Sequence, residues 1–134
     1  AEISNSLRRL HNAELVIAGG HEPIRQNLFA FCVHGVRFVF AAETGRPQRG
    51  VGTACLAPPL LGHVRGDDGE FVWPSPDGTE RGPSLEPLHP CAVAASLGSP
   101  PLHRKLALVD AIRVGNERTR SAAVKGLAKE MGVG

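Results

Sequence analysis

The sequence predicts an α+β fold. Three observations carry that prediction: helical periodicity at both ends, a middle stretch holding ten of the eleven prolines, and short runs rich in β-branched and aromatic residues between them. The chain of 134 residues is long enough for one ordinary domain, or for a small domain joined to an incomplete one. An apolar fraction of 42% against 21% charged residues is that of a chain able to bury a core, not of a disordered one.

The first element is a short amphipathic helix. Ile3, Leu7 and Leu10 follow an i, i+4, i+7 pattern, and Ser4, Asn5, Ser6, Arg8 and Arg9 fill the other face. His11 and Asn12 suit its end, and Leu15, Val16 and Ile17 read as a strand entering a Gly19-Gly20 turn. A second helix is expected from Glu22, with Pro23 in its first turn, Ile24, Leu28, Phe31 and Cys32 inward, and Gly35 as its stop. Val36, Phe38 and Phe40 then alternate with Arg37 and Val39, as in a short strand.

Between Gly45 and Pro101 the prolines make long helices unfavourable. Residues 51–56 and 70–73 are expected as short strands, with turns at Asp67-Asp68-Gly69 and Asp77-Gly78, giving a small irregular β-rich unit. The last third predicts a helical hairpin over about 101–131. Leu102, Leu106, Val109, Ala111 and Ile112 form one stripe, Gly115 breaks it, and Asn116 caps a second helix that turns Ala123, Val124, Leu127 and Met131 inward. The organisation expected is residues 1–34 as one unit and 35–134 as a second, α+β unit ending in that hairpin.

Charge and cysteine usage narrow the function classes. The net charge of +2 conceals an acidic stretch at 66–90, six acids against one Arg, between two basic flanks. Cys32, Cys55 and Cys91 are odd in number and far apart, which argues against a disulfide framework or a Cys-x-x-Cys site, so they are expected as buried, reduced thiols. No apolar run approaches the ~20 residues of a membrane span. The longest, residues 28–42, is interrupted by His34, Gly35 and Arg37, and no leader pattern precedes it. A cytoplasmic protein without membrane contact is the expectation. Because Ala1 already lies inside a helical pattern, further chain upstream is expected as well.

No catalytic constellation is visible: the serines and cysteines lack a nucleophile elbow or a histidine at recognised spacing. Asp110, on the apolar stripe, is expected to form a structural ion pair with Arg113 or Arg104. Asp67 and Asp68 read as a solvated turn. His89, Cys91 and His103 are the best metal set available, but their spacing is weak, so neither a metal nor a cofactor is expected. Arg49-Gly50-Val51-Gly52-Thr53 reads as a glycine-rich turn, with anion contact as the alternative and Arg46 and Arg49 supplying charge. Arg104, Lys105, Arg113, Arg118 and Arg120 form a possible second basic site around the hairpin, together with Arg46 and Arg49.

The stretch from Ala1 to Val16, with Ile3, Leu7, Leu10, Ala13, Leu15 and Val16 in register, resembles the recognition helix and first wing strand of winged helix-turn-helix regulators of the MarR type. Glu14 stands where that family often has glycine. The resemblance implies a partial winged helix-turn-helix at residues 1–34, lacking its preceding helices. It also implies a homodimeric, double-stranded-DNA-binding transcriptional regulator or repressor and not an enzyme. On this reading Ser4, Asn5 and Ser6 face base edges, Arg8 and Arg9 face phosphate or guanine, and His21 and Arg25 reach the backbone from the wing. The remainder resembles bacterial regulators that join such a motif to a downstream domain, through His34 to Phe40, Arg49 to Ala54, Val72-Trp73-Pro74, Gly78, Pro87 to Pro90 and Leu106 to Gly115. That likeness carries no activity with it. An antitoxin-like module that binds a partner protein is the alternative.

Overall fold

The computed structural model describes residues 2–62 and 69–134. In chain order the elements are α1 (Glu2–Asn12), α2 (Arg25–His34), α3 (Val36–Val39), β1 (Thr44–Ala54), β2 (Glu70–Pro74), β3 (Glu80–Leu85), α4 (Ala92–Leu97), α5 (Pro100–Val114) and α6 (Glu117–Met131). The fold is α+β with a C-terminal helical hairpin.

That hairpin organises the rest, and its ends are fixed by local chemistry. The Ser99 side chain accepts from the Leu102 amide, and two prolines occupy the first turn of α5, where a missing N–H costs nothing. Asn116 accepts from the Thr119 amide and starts α6. Helix α5 packs on β1, α4 and α6, so residues 107–113 are buried on every side and not along one stripe alone. Leu102, expected within the stripe, lies beyond that cover and is exposed. From α6, Ala123 and Leu127 are buried and Val124 and Met131 half-buried. Together with Val36, Ala54, Cys55 and Leu60 these side chains form the core. Each large one contributes roughly 1.5–3 kcal/mol by leaving water.

The sheet is a small closed ring built on one long strand. The far half of β1 pairs antiparallel with β2, from Gly50 opposite Pro74 to Ala54 opposite Glu70. Its near half pairs antiparallel with β3, with an irregularity between Gly45 and Pro47. The parallel contact of Val72 with Ser84 closes the ring. Val72, Trp73 and Leu85 are fully enclosed.

Several expectations require correction. Residues 36–40 form a helical turn, not a strand. No strand among the described residues pairs with their backbone, so Val39 and Phe40 donate locally to the carbonyls of Gly35 and Val36 (3.1 and 2.7 Å), and Phe38 is 71% exposed. Residues 15–17 shrink to one bridge, Val16 with Pro23, flanked by Ile17 N–H to Glu22 O and Ile24 N–H to Leu15 O, both 2.8 Å. Because Pro23 belongs to this hairpin and Ile24 is extended, α2 starts at Arg25 and not at Glu22. The strand expected over 51–56 begins earlier, at Thr44, and β3 and α4 lie where no element was expected. The stretch Arg49 to Thr53 is not a turn: it lies inside β1. The turn at Asp77-Gly78 is present, with Gly78 N–H donating to Ser75 O. Asp67 and Asp68 lie outside the described residues.

Candidate nucleic-acid interface

Helix α1 lies outside the core and its apolar stripe is not covered, contrary to the amphipathic reading: Ile3 is 84% and Leu10 39% exposed, and Leu7 is half-buried. Ser4, Asn5, Ser6, Arg8 and Arg9 are all exposed, and no side chain from Ile3 to Asn12 is buried. At 100° per residue Ser4, Arg8, Asn5 and Arg9 share one broad face, with Ser6 on its flank. The two guanidiniums are steadied one turn back: Arg8 Nη2 donates to Asn5 Oδ1 (2.9 Å) and Arg9 Nη2 to Ser6 Oγ (3.2 Å). Such i, i+3 contacts orient a long side chain without neutralising it.

The helix is tied to the hairpin that follows. His11 Nε2 lies 2.8 Å from the Gly20 carbonyl oxygen, and Asn27 Nδ2 donates to Glu14 O at 2.7 Å. Gly19 takes a positive φ of 77° at the tip, which a side chain would strain. His21 is exposed beside that tip. Arg25 opens α2, but its Nη1 points to Met131 O at 3.5 Å, at the end of α6.

The second basic set does not come together as a free patch. Arg113 is buried: its Nη1 pairs with Asp110 Oδ1 (2.8 Å), and its Nε donates to Phe40 O (3.0 Å). Arg120 folds back to donate to Ile112 O (3.0 Å) and Gly115 O (2.9 Å), supplying carbonyls that the end of α5 leaves open. Burial lowers its pKa, with Arg37 adding to the shift. Arg104 is held by Glu130 at 2.6 Å. Arg46, Arg49 and Arg118 are exposed and Lys105 is half-buried. Arg49 stands directly across from Arg81, a residue that sequence reasoning passed over. The backbone of residues 49–53 is engaged by β2 and β3, which removes the anion cradle considered for it.

Asp110 pairs with Arg113, not with Arg104, and it does so in the interior. Its Oδ2 also accepts from Thr53 Oγ1 (2.6 Å) and Trp73 Nε1 (2.8 Å). Burial pushes the carboxyl above its ordinary value, opposed by Thr53, Arg113 and Trp73. Asp110 is 1% exposed. His103 Nε2 meets Gly52 O at 2.7 Å, with its ring 5.4 Å from that of Trp73, and His89 Nδ1 accepts from Cys91 N–H. Among the described residues no three His, Cys, Asp or Glu side chains gather as a metal site. Cys55 is buried and Cys32 half-buried, but Cys91 is exposed at the start of α4, contrary to the expectation of three buried thiols. Burial pushes the Cys32 and Cys55 thiols up.

No helix among the described residues is long and apolar enough to cross a membrane. Comparisons with protein-family profiles, with characterised proteins and with solved structures return no match.

Proposed function

We propose that this protein is a DNA-binding transcriptional regulator in which α1 enters the major groove and the hairpin of residues 15–24 lies along the adjoining backbone. The observation that carries this reading is α1: an exposed helix presenting Ser4, Asn5, Arg8 and Arg9 on one face, tied through His11 to a glycine-tipped hairpin. Short hydroxyl and amide groups reach base edges only when the helix backbone comes close, and Ser4 and Asn5 share that face with no large apolar side chain. Arg8 and Arg9 supply the charge that meets guanine or phosphate. Regulators that read paired half-sites act as symmetric dimers, so the reading includes a second copy of the chain.

A second reading, a partner-binding module of antitoxin type, draws on the exposed apolar run Phe38, Val39 and Phe40 around α3. One titration separates the two. Duplexes from the region upstream of the chain's own coding sequence are titrated with the protein over a range of salt concentrations. The expected outcome is specific binding with a steep negative salt slope. In the double variant Arg8→Ala, Arg9→Ala the specificity is lost and the slope is shallower by roughly two; Arg118→Ala leaves both unchanged. A natively folded double variant with undiminished specific affinity overturns the assignment, and absence of any binding moves it to the second reading.

A further inference from the structure

Between α2 and the α5–α6 hairpin lies a cavity of about 590 Å³, within the range of sites that hold small molecules. Its wall is apolar, formed by Leu28 and Phe31 from α2, Leu106 and Val109 from α5, and Leu127 and Met131 from α6. Close packing is the norm between helices that carry such residues. Here α2 has no buried residue, and Leu28, Phe31 and Cys32, which face the hairpin, stay half-buried. The space that should seal them is open.

Charge at the rim is one-sided. Arg25, Lys105 and Glu130 border the cavity. Glu130 is already held by Arg104 at 2.6 Å. Among the described residues Lys105 has no ion pair, and Arg25 reaches only the Met131 carbonyl, at 3.5 Å. Among the described residues, therefore, Glu130 is shared with Arg104 while two cations at the rim have no ion-pair partner, and the rest of the wall is apolar. An ammonium or guanidinium beside a hydrocarbon wall is favourable for a ligand that buries its apolar body and leaves one negative group at the edge.

We propose that this cavity binds a small monocarboxylic acid, its hydrocarbon body between α2 and the hairpin and its carboxylate at the Lys105 and Arg25 rim. The site lies on the body of the protein and stands whether or not α1 reads DNA. Occupancy covers Leu28, Phe31 and Cys32 and anchors α2.

Calorimetric titration of the intact chain with octanoate, 1-octanol and octylamine holds the hydrocarbon constant and varies the head. Octanoate is expected to bind one to one and at least tenfold more tightly than octanol, with no binding of the amine. Lys105→Gln, at a half-buried rim position, weakens octanoate about tenfold and leaves octanol unchanged. A second measurement is independent of that variant: in a Cys91→Ser background, octanoate slows alkylation of Cys32. Three results overturn the proposal: equal affinity for acid, alcohol and amine; undiminished octanoate binding by folded Lys105→Gln; or a Cys32 alkylation rate unchanged at saturating octanoate. Protection of Cys32 by self-association alone, without ligand, overturns it too.

Discussion

Asp110 shows how one side chain sets the character of the interior. Its two oxygens take three donors from three parts of the chain: Thr53 on β1, Trp73 on β2 and Arg113 one turn along α5. Removing two charges from water is costly, and such a pair recovers that cost only when its remaining hydrogen-bonding capacity is satisfied. Arg113 meets the condition through the carbonyls of Phe40 and Glu86. Asp110→Leu strands a buried guanidinium and is expected to cost about 3–5 kcal/mol in urea unfolding. Asp110→Leu combined with Arg113→Met removes both charges and is expected to cost substantially less than the single change. Equal losses in the two variants exclude an uncompensated charge as the cause. The Asp110–Arg113 spacing was legible in the sequence as an i, i+3 pair. Thr53 and Trp73 were not, because nothing local links positions so far apart to Asp110.

At the scale of elements, what could be read depended on whether the determinants were local. Helices α5 and α6 announce themselves through caps, a proline start and a glycine stop, all within a few residues of the ends they define. Strand β3 does not: Glu80–Leu85 contains Gly82 and Pro83 and has little apolar alternation, and it is a strand because β1 offers it an edge. Residues 36–40 fail in the opposite direction, with alternation but no partner strand among the described residues. For the candidate site, periodicity set Ser4, Asn5, Ser6, Arg8 and Arg9 apart from Ile3, Leu7 and Leu10, but it did not reveal that Ile3 and Leu10 are exposed as well, because no element covers that stripe among the described residues. The inward turn of Arg113 and Arg120 did not, since sequence records a charge but not the direction of its long side chain. The glycines of β1 likewise looked like a turn but serve close approach. A Cβ on Gly50 would collide with the Trp73 carbonyl, and one on Gly78 would collide with the Gly50 backbone. Gly50→Ala is therefore expected to destabilise the fold by about 1–3 kcal/mol in thermal or denaturant unfolding. Gly20→Ala, whose Cβ would lie 3.7 Å from the Ile17 carbonyl oxygen, is close to neutral by the same measurement. Equal effects at both positions refute the packing account.

Over the whole molecule, burial is concentrated in α5, α6 and the far half of β1, while α1 is held chiefly by its ties to the hairpin. Local opening follows buried apolar contact, so native-state hydrogen exchange is expected to find the slowest amides in α5 and α6 and the fastest helical amides in α1. Uniform protection across the helices contradicts that gradient. The reach of Arg113 adds a consequence in time. Its contacts join Phe40, 73 positions earlier, and Glu86, 27 positions earlier, to the Asp110 cluster that also holds Thr53 and Trp73. As the polypeptide leaves the ribosome, the strands are made before the carboxylate that accepts from Trp73 and Thr53, and before the cation that bridges the loops on either side of the ring. The small ring has no settled interior until α5 emerges. Folding of the ring is therefore expected to wait until Asp110 and Arg113, made after all three strands, have emerged.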